Sequence, residues 1–357
     1  MELEELHGLL EQHWANTSLN LETPGVNWGK MYQSIIHAKE MQEQPVRRIR
    51  PVVWVAAASV LVVCVCCWLL LRPGSNVHRQ ELSRIQNVAA GASKATLTLG
   101  NGRTIQLDST GQTITDVNGV EINNFNQGQL VYNDEVNTDA STLSYNTLST
   151  PKGGQYQAVL PDGSKVWLNA ASSIRFPSRF INKDRRVTVT GEVYIEVVKN
   201  AVQPFYVLAR NTEVQVLGTS FNINSYDDEP TIQTTLVEGS VKVLPLPAVN
   251  YPLSSVVLSP GQQALQSDQQ LNIQSANIEQ VLAWKNGYFN FNGLTLQEVL
   301  RAISRWYDVE VIYKGTITPE RFGGAIQRDL SLREILDVLK QTGVHFRIED
   351  RKLIVMP

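Results

Sequence analysis

The chain has 357 residues, with 31 Lys and Arg against 34 Asp and Glu for a formal charge of −3. It carries no basic or acidic block, which argues against nucleic acid as a partner, because phosphate binding calls for a concentrated cationic face. All three cysteines, Cys64, Cys66 and Cys67, fall inside one apolar run, so everything after that run must be held by apolar burial and not by disulfides.

Residues 1–50 read as two short helices. Leu6, Leu10 and Trp14 recur at helical spacing, as do Trp28, Met31 and Ile35, and the stretch from Asn16 to Asn27, with Pro24 and Gly25, reads as the loop between them. So short a region buries little core, and one apolar stripe on each of two helices calls for another surface. The two helices could pack on each other or lie on a membrane; Trp14 and Trp28 are also the kind of anchor that protein interfaces use.

Val52 to Leu71 (VVWVAAASVLVVCVCCWLLL) contain no charge, proline or glycine. As a helix this run would be about 30 Å long, the thickness of a bilayer's hydrocarbon core, and it reads as one membrane span. Arg47, Arg48 and Arg50 crowd its N-terminal flank while Arg72 stands alone beyond it, so the positive-inside bias places residues 1–51 in the cytoplasm and 72–357 on the far side. The small residues Ala56, Ala57, Ala58 and Ser59 lie in the cytoplasmic half. Helix packing is one use for them, and a cut by an intramembrane protease, which small side chains ease, is the other.

Residues 72–94 are polar and read as a tether. From Ala95 the period changes to two: TLTLGNGRTIQL alternates around Gly-Asn-Gly, a hairpin signal. Short alternating runs continue to residue 270, among them YQAVLPDGSKVWLN, RRVTVTGEVYIEVVK and TIQTTLVEGSVKVLP, with turn glycines every ten to twelve residues. That rhythm predicts an all-β domain over 95–270, a sandwich, barrel or short solenoid. Residues 285–357 change again. Thr295-Leu-Gln-Glu298 opens LQEVLRAISRWY, Ser331-Leu-Arg-Glu334 opens LREILDVLKQTG, and a strand pattern follows each helix. Both openings are capping boxes, and the spacing predicts a small α+β domain of two β-α-β units.

No reaction centre stands out. The five histidines have no metal-ligand spacing, no Gly-x-Ser-x-Gly elbow is present, and the glycine-rich stretches lack the Lys-Ser/Thr of a phosphate loop. Asp227-Asp228-Glu229 lacks the alternation of a calcium loop and reads as a solvated turn. No catalytic, cofactor or metal site is expected. A helical head, one thin helix and a β-rich body read as a device that passes a signal and not as an enzyme.

The blocks TPKGGQYQAVLPDGSKVWLNAASSIRFP, RRVTVTGEVYIEVVKNAVQPFYV, VQVLGTSFNINSY, TTLVEGSVKV, LSPGQQA and AWKNGYFNFNGLTLQEVLRAISRWYDVEV resemble the FecR family of membrane-bound anti-sigma factors, in the form common among Bacteroidetes. The resemblance runs over most of 95–357, and the head is its least matched part. It implies an inner-membrane, single-pass protein whose cytoplasmic head holds an extracytoplasmic-function sigma factor, for which the apolar face Leu6, Leu10, Trp14, Trp28, Met31 and Ile35 is the candidate contact. It implies periplasmic domains that receive a signal from the N-terminal domain of a TonB-dependent outer-membrane receptor, and release of the sigma factor by membrane proteases. The C-terminal repeat resembles the secretin and TonB short N-terminal fold. Candidate receptor contacts are Arg301 and Arg305, or a strand edge at Lys352 to Met356 that includes Ile354.

The expected fold class is therefore a multi-domain membrane protein: a short α-helical head (1–50), one transmembrane helix (52–71), a tether (72–94), an all-β periplasmic domain (95–270) and an α+β C-terminal domain (285–357). The rival reading is an anchored glycan-binding or structural protein, for which Trp167, Trp284 and Trp306 would have to form an aromatic platform.

Overall fold

The structure, a computed structural model, describes residues 88–108, 111–125, 128–133, 143–246, 254–267, 270–315 and 320–356. The first run of strands comprises β1 (Ala92–Ser93), β2 (Ala95–Thr98), β3 (Thr104–Leu107), β4 (Gln112–Thr115), β5 (Glu121–Phe125), β6 (Gln129–Asn133), β7 (Tyr145–Ser149), β8 (Gly154–Val159), β9 (Lys165–Leu168) and β10 (Ser173–Pro177). The second comprises β11 (Arg185–Glu196), β12 (Phe205–Ala209), β13 (Thr212–Val216), β14 (Ser220–Ser225), β15 (Ile232–Glu238), β16 (Val241–Pro245), β17 (Val256–Leu258), β18 (Gln262–Gln266) and β19 (Leu271–Ser275).

These strands form two layers. One runs β3-β2-β7-β10-β11-β12-β13-β16-β17, and the other runs β4-β5-β6-β8-β9-β11-β14-β15-β18-β19. Alternation along each strand turns one set of side chains inward, and the inward sets of both layers meet in a single core that includes Leu148, Phe176, Phe205, Leu168, Ile195 and Phe221. β11 belongs to both layers, pairing with β10 and β12 through its first half and with β9 and β14 through its second.

Gly191 is where β11 changes layer. Its φ is +76°, and a Cβ there would stand 2.5 Å from the Ser172 hydroxyl and 2.7 Å from the Ala171 carbonyl, so the bend requires a residue without a side chain.

After β19 come α1 (Ile278–Leu282), β20 (Tyr288–Asn290), α2 (Leu296–Tyr307), β21 (Glu310–Tyr313), β22 (Ala325–Gln327), α3 (Leu332–Leu339), β23 (His345–Glu349) and β24 (Lys352–Met356). Both predicted capping boxes form, Thr295 with Glu298 and Ser331 with Glu334. The apolar stripes Leu296, Val299, Leu300, Ile303 and Leu332, Ile335, Leu336, Leu339 are buried in one core. That core also takes in Val88, from the other end of the described chain, whose carbonyl accepts from the Leu332 N–H at 3.0 Å.

The expected fold class is corrected on two counts. The described chain is mostly strand, its longest α-helix has 12 residues, and no helix among the described residues is long and apolar enough to cross a membrane. The expected helical head and transmembrane helix lie outside the described residues. The two C-terminal β-α-β units, moreover, do not each close a sheet. The leading strands β20 and β22 pair with each other, while β21 joins β24 and β23 in a separate three-stranded sheet. The second helix of the repeat therefore completes a fold that the first begins, and neither unit is a folding module alone.

Gly191→Ala forces a side chain onto a left-handed residue and against the Ala171 carbonyl. It is expected to lower stability by about 1–3 kcal/mol, measured by chemical denaturation of the purified chain.

Candidate functional site

The C-terminal α+β domain docks on the outer face of the second layer, and a set of charged and amide side chains meets along that seam. On the sandwich side stand Asn169 just after β9, Glu192 in the second half of β11, Asn222 in β14 and the turn at 226–229. Facing them are Trp284 after α1, Arg301 and Arg305 in α2, and Arg328 after β22.

Arg301 and Arg305 are four residues apart and so share a face of α2. Arg301 Nη2 lies 2.6 Å from Glu229 Oε2; Arg305 reaches Glu229 Oε1 and Asp228 Oδ1 at 2.9 Å each. The Arg305 guanidinium also stacks on the Tyr226 ring, 4.0 Å from its centroid. Burial by itself would raise the Glu229 carboxyl, but the hydrogen bond from Arg301 and the charge of Arg305 outweigh it and hold the group below its ordinary value.

Deeper in the seam, Arg328 is only 4% exposed. It donates from Nη1 to the Trp284 carbonyl at 3.0 Å and from Nη2 to Asn169 Oδ1 at 2.9 Å, and its plane lies over Trp306 at 3.7 Å. Burial lowers the Arg328 guanidinium to about 10, with Tyr226, Glu192 and Tyr307 opposing the shift. Asn169 passes the contact on: its Nδ2 donates to Glu192 Oε2 at 2.8 Å, while Asn222 donates to Glu192 Oε1 at 3.1 Å. Burial raises the Glu192 carboxyl, and these two amides together with Arg305 and Arg328 pull the other way. Trp284 Nε1 closes the ring on Asn222 Oδ1 at 3.3 Å. Beside it, Lys285 Nζ stands 4.5 Å from the centroid of the Trp167 ring.

The segment 88–94 is pinned to the same seam. Gly91 lies flat against Trp306, where a Cβ would come within 2.7 Å of the ring, and the Gly153 N–H donates to the Arg305 carbonyl at 2.8 Å.

Leu6, Leu10, Trp14, Trp28, Met31, Ile35 and Ala56 to Ser59 all lie outside the described residues. Arg301 and Arg305 are not outward-facing contacts; at 24% and 11% side-chain exposure they are engaged with Asp228 and Glu229. Lys352 to Met356 is not an edge either. β24 is hydrogen-bonded to β21 on one side and β23 on the other, with Ile354 buried, so the free edges of that sheet belong to β21 and β23. Sequence reading missed Arg328 and took 227–229 for a solvated turn, which fits the exposed Asp227 and Asp228 but not Glu229. The signal was there to be matched: an acidic triplet, and an arginine pair at helical spacing some seventy residues on. Trp284 and Trp306 are buried in the seam, and Trp167 lies under Lys285, so they form no open platform. Among the described residues, no group of His, Cys, Asp and Glu is placed to hold a metal ion.

Two family models match this architecture. That of the FecR protein covers residues 146–242, and that of the FecR C-terminal domain covers 288–355. The chain belongs to the FecR family. Two crystal structures of a candidate anti-sigma factor from Parabacteroides distasonis ATCC 8503 share the fold. One, at 1.65 Å resolution, is 27% identical with a TM-score of 0.53, over 58% of this chain and 97% of its own. The other, at 2.50 Å, is 26% identical with a TM-score of 0.54, over 59% of this chain and 98% of its own. No curated protein matches the chain.

Glu229→Gln removes the charge that both arginines of this FecR-family chain share, and is expected to cost about 2 kcal/mol of seam stability, read as faster hydrogen exchange in α2. Because the folded Glu229 carboxyl lies below the unfolded value of 4.5, its contribution is present above that pH and is lost as pH falls through the folded value. Acid titration is therefore expected to loosen α2 in the wild type below about pH 4.5, and to do so less in Glu229→Gln, by the same exchange measurement.

Proposed function

We propose that this chain is an anti-sigma factor that holds an extracytoplasmic-function sigma factor through the face made by Leu6, Leu10, Trp14, Trp28, Met31 and Ile35. The observation that supports the reading is the pairing, in one chain and in the family's order, of a FecR domain with a FecR C-terminal domain, in a fold shared with a candidate anti-sigma factor of another bacterium. A regulatory role also agrees with the chemistry of the seam, whose charged groups bind each other across the two domains.

The signal reaches the C-terminal domain from the N-terminal domain of a TonB-dependent receptor. The accessible strand edges for such a contact are β21 and β23, which offer unpaired backbone groups to an added strand. Arg301 and Arg305 then serve as the coupling between that domain and the sandwich. Release of the sigma factor proceeds by proteolysis, with Ala56 to Ser59 as the candidate cut. FecR-family proteins are typically membrane-anchored; the apolar run 52–71 lies outside the described residues.

The test is co-purification. The tagged full-length chain, expressed in its own host, is expected to bring down a sigma factor identifiable by mass spectrometry. Replacing Trp14 or Trp28 by Ala is expected to weaken that association about 30-fold, as for loss of one buried aromatic anchor. Recovery of no sigma factor, or undiminished recovery with both tryptophans replaced, would overturn the proposal.

A further inference from the structure

Between the outer face of the second layer and the C-terminal domain lies a cleft of about 820 Å³, within the range of small-molecule sites. Ten of its 31 lining residues are Asn or Gln. The formal charges cancel, with Glu192, Glu229 and Glu298 against Arg305, Arg321 and Arg328, and each is already engaged inside the protein. Glu192 accepts from Asn169 and Asn222, and Glu229 pairs with Arg305. Glu298 caps its own helix, Arg321 donates to the Gly293 carbonyl, and Arg328 donates to Trp284 and Asn169. With three of each sign the lining has no net charge, so the cleft as a whole favours neither an anion nor a cation.

Asn169, Asn222 and Gln263 are bonded at both ends, whereas six of the other amides are committed at one end only. Gln274 Nε2 donates to Gln263, whose own Nε2 donates to Gln233 Oε1, so the Gln233 NH₂ and the Gln274 oxygen are left over. Gln280 Nε2 donates to the Asn292 carbonyl, leaving its oxygen. Asn277, Asn290 and Asn292 each accept a backbone N–H through Oδ1, leaving their NH₂ groups. The result is four donor groups and two acceptors, each amide oriented by its inner bond, with Tyr288, 43% exposed, among the lining residues. Hydroxyl groups, which donate and accept at the same atom, are the natural complement to a mixed set of oriented amides, and an aromatic ring suits the C–H face of a saturated ring.

We propose that this cleft binds a neutral polyhydroxylated ligand, a sugar of one or two rings, between the sandwich and the C-terminal domain. The site is a concave, amide-lined one, with the buried Trp284 among its lining residues. Ligand bound there touches both bodies and so favours their docked arrangement. Nothing in the inference depends on sigma-factor binding.

Isothermal titration of the purified full-length chain with glucose, maltose and cellobiose, and with glucuronate as the anionic counterpart, tests it. Saturable binding of at least one neutral sugar, with glucuronate weaker, is expected. Gln233→Ala is expected to weaken that binding about tenfold, the worth of a hydrogen bond lost at a pre-oriented donor. Should Gln233→Ala fail to fold, Asn292→Ala serves in its place, since Asn292 is exposed and outside the core. Absence of saturable heat with every neutral sugar, preference for glucuronate, or wild-type affinity in the folded variant would each overturn the proposal.

Discussion

Arg328 is a guanidinium buried where no carboxylate bonds to it directly. Its charge is compensated by a carbonyl of its own domain, an amide of the sandwich and the face of Trp306, so its comfort depends on both bodies being in place. A buried cation stripped of part of that set is costly, which makes separation of the two domains unfavourable whatever the apolar contacts contribute. Around this fixed point the more exposed pairs of Arg301 and Arg305 with Glu229 set the register of α2 against the sandwich.

The sandwich presents that face because β11 changes layer. With its first half among β10 and β12 and its second among β9 and β14, the strand carries Glu192 just past the bend and onto the outer surface of the second layer. Asn169 and Asn222 meet it from the flanking strands, and one polar row is assembled from three distant stretches of chain. The seam is thus a consequence of the topology, with Gly191 permitting the bend.

What could be read in the sequence was whatever is local. The two capping boxes and the apolar stripes of α2 and α3 depend on residues a few positions apart, and each formed. What could not be read was long-range pairing. Lys352 to Met356 read as a strand edge, yet strand order placed β24 in the middle of its sheet. Arg301 and Arg305 looked solvent-facing because helical periodicity shows only that they share a polar side, and a polar side can be covered by an acidic turn some seventy residues away. Composition likewise showed many Asn and Gln without showing that they converge on one cleft.

Val88 opens the described chain, yet its side chain sits in the core that α2 and α3 build near the other end. During synthesis that contact has no partner until almost the whole polypeptide has left the ribosome. The sandwich strands, with β1 on β8, can condense beforehand, whereas Val88 and Gly91 find their partners only once α2 and α3 have formed, a contact of high sequence separation.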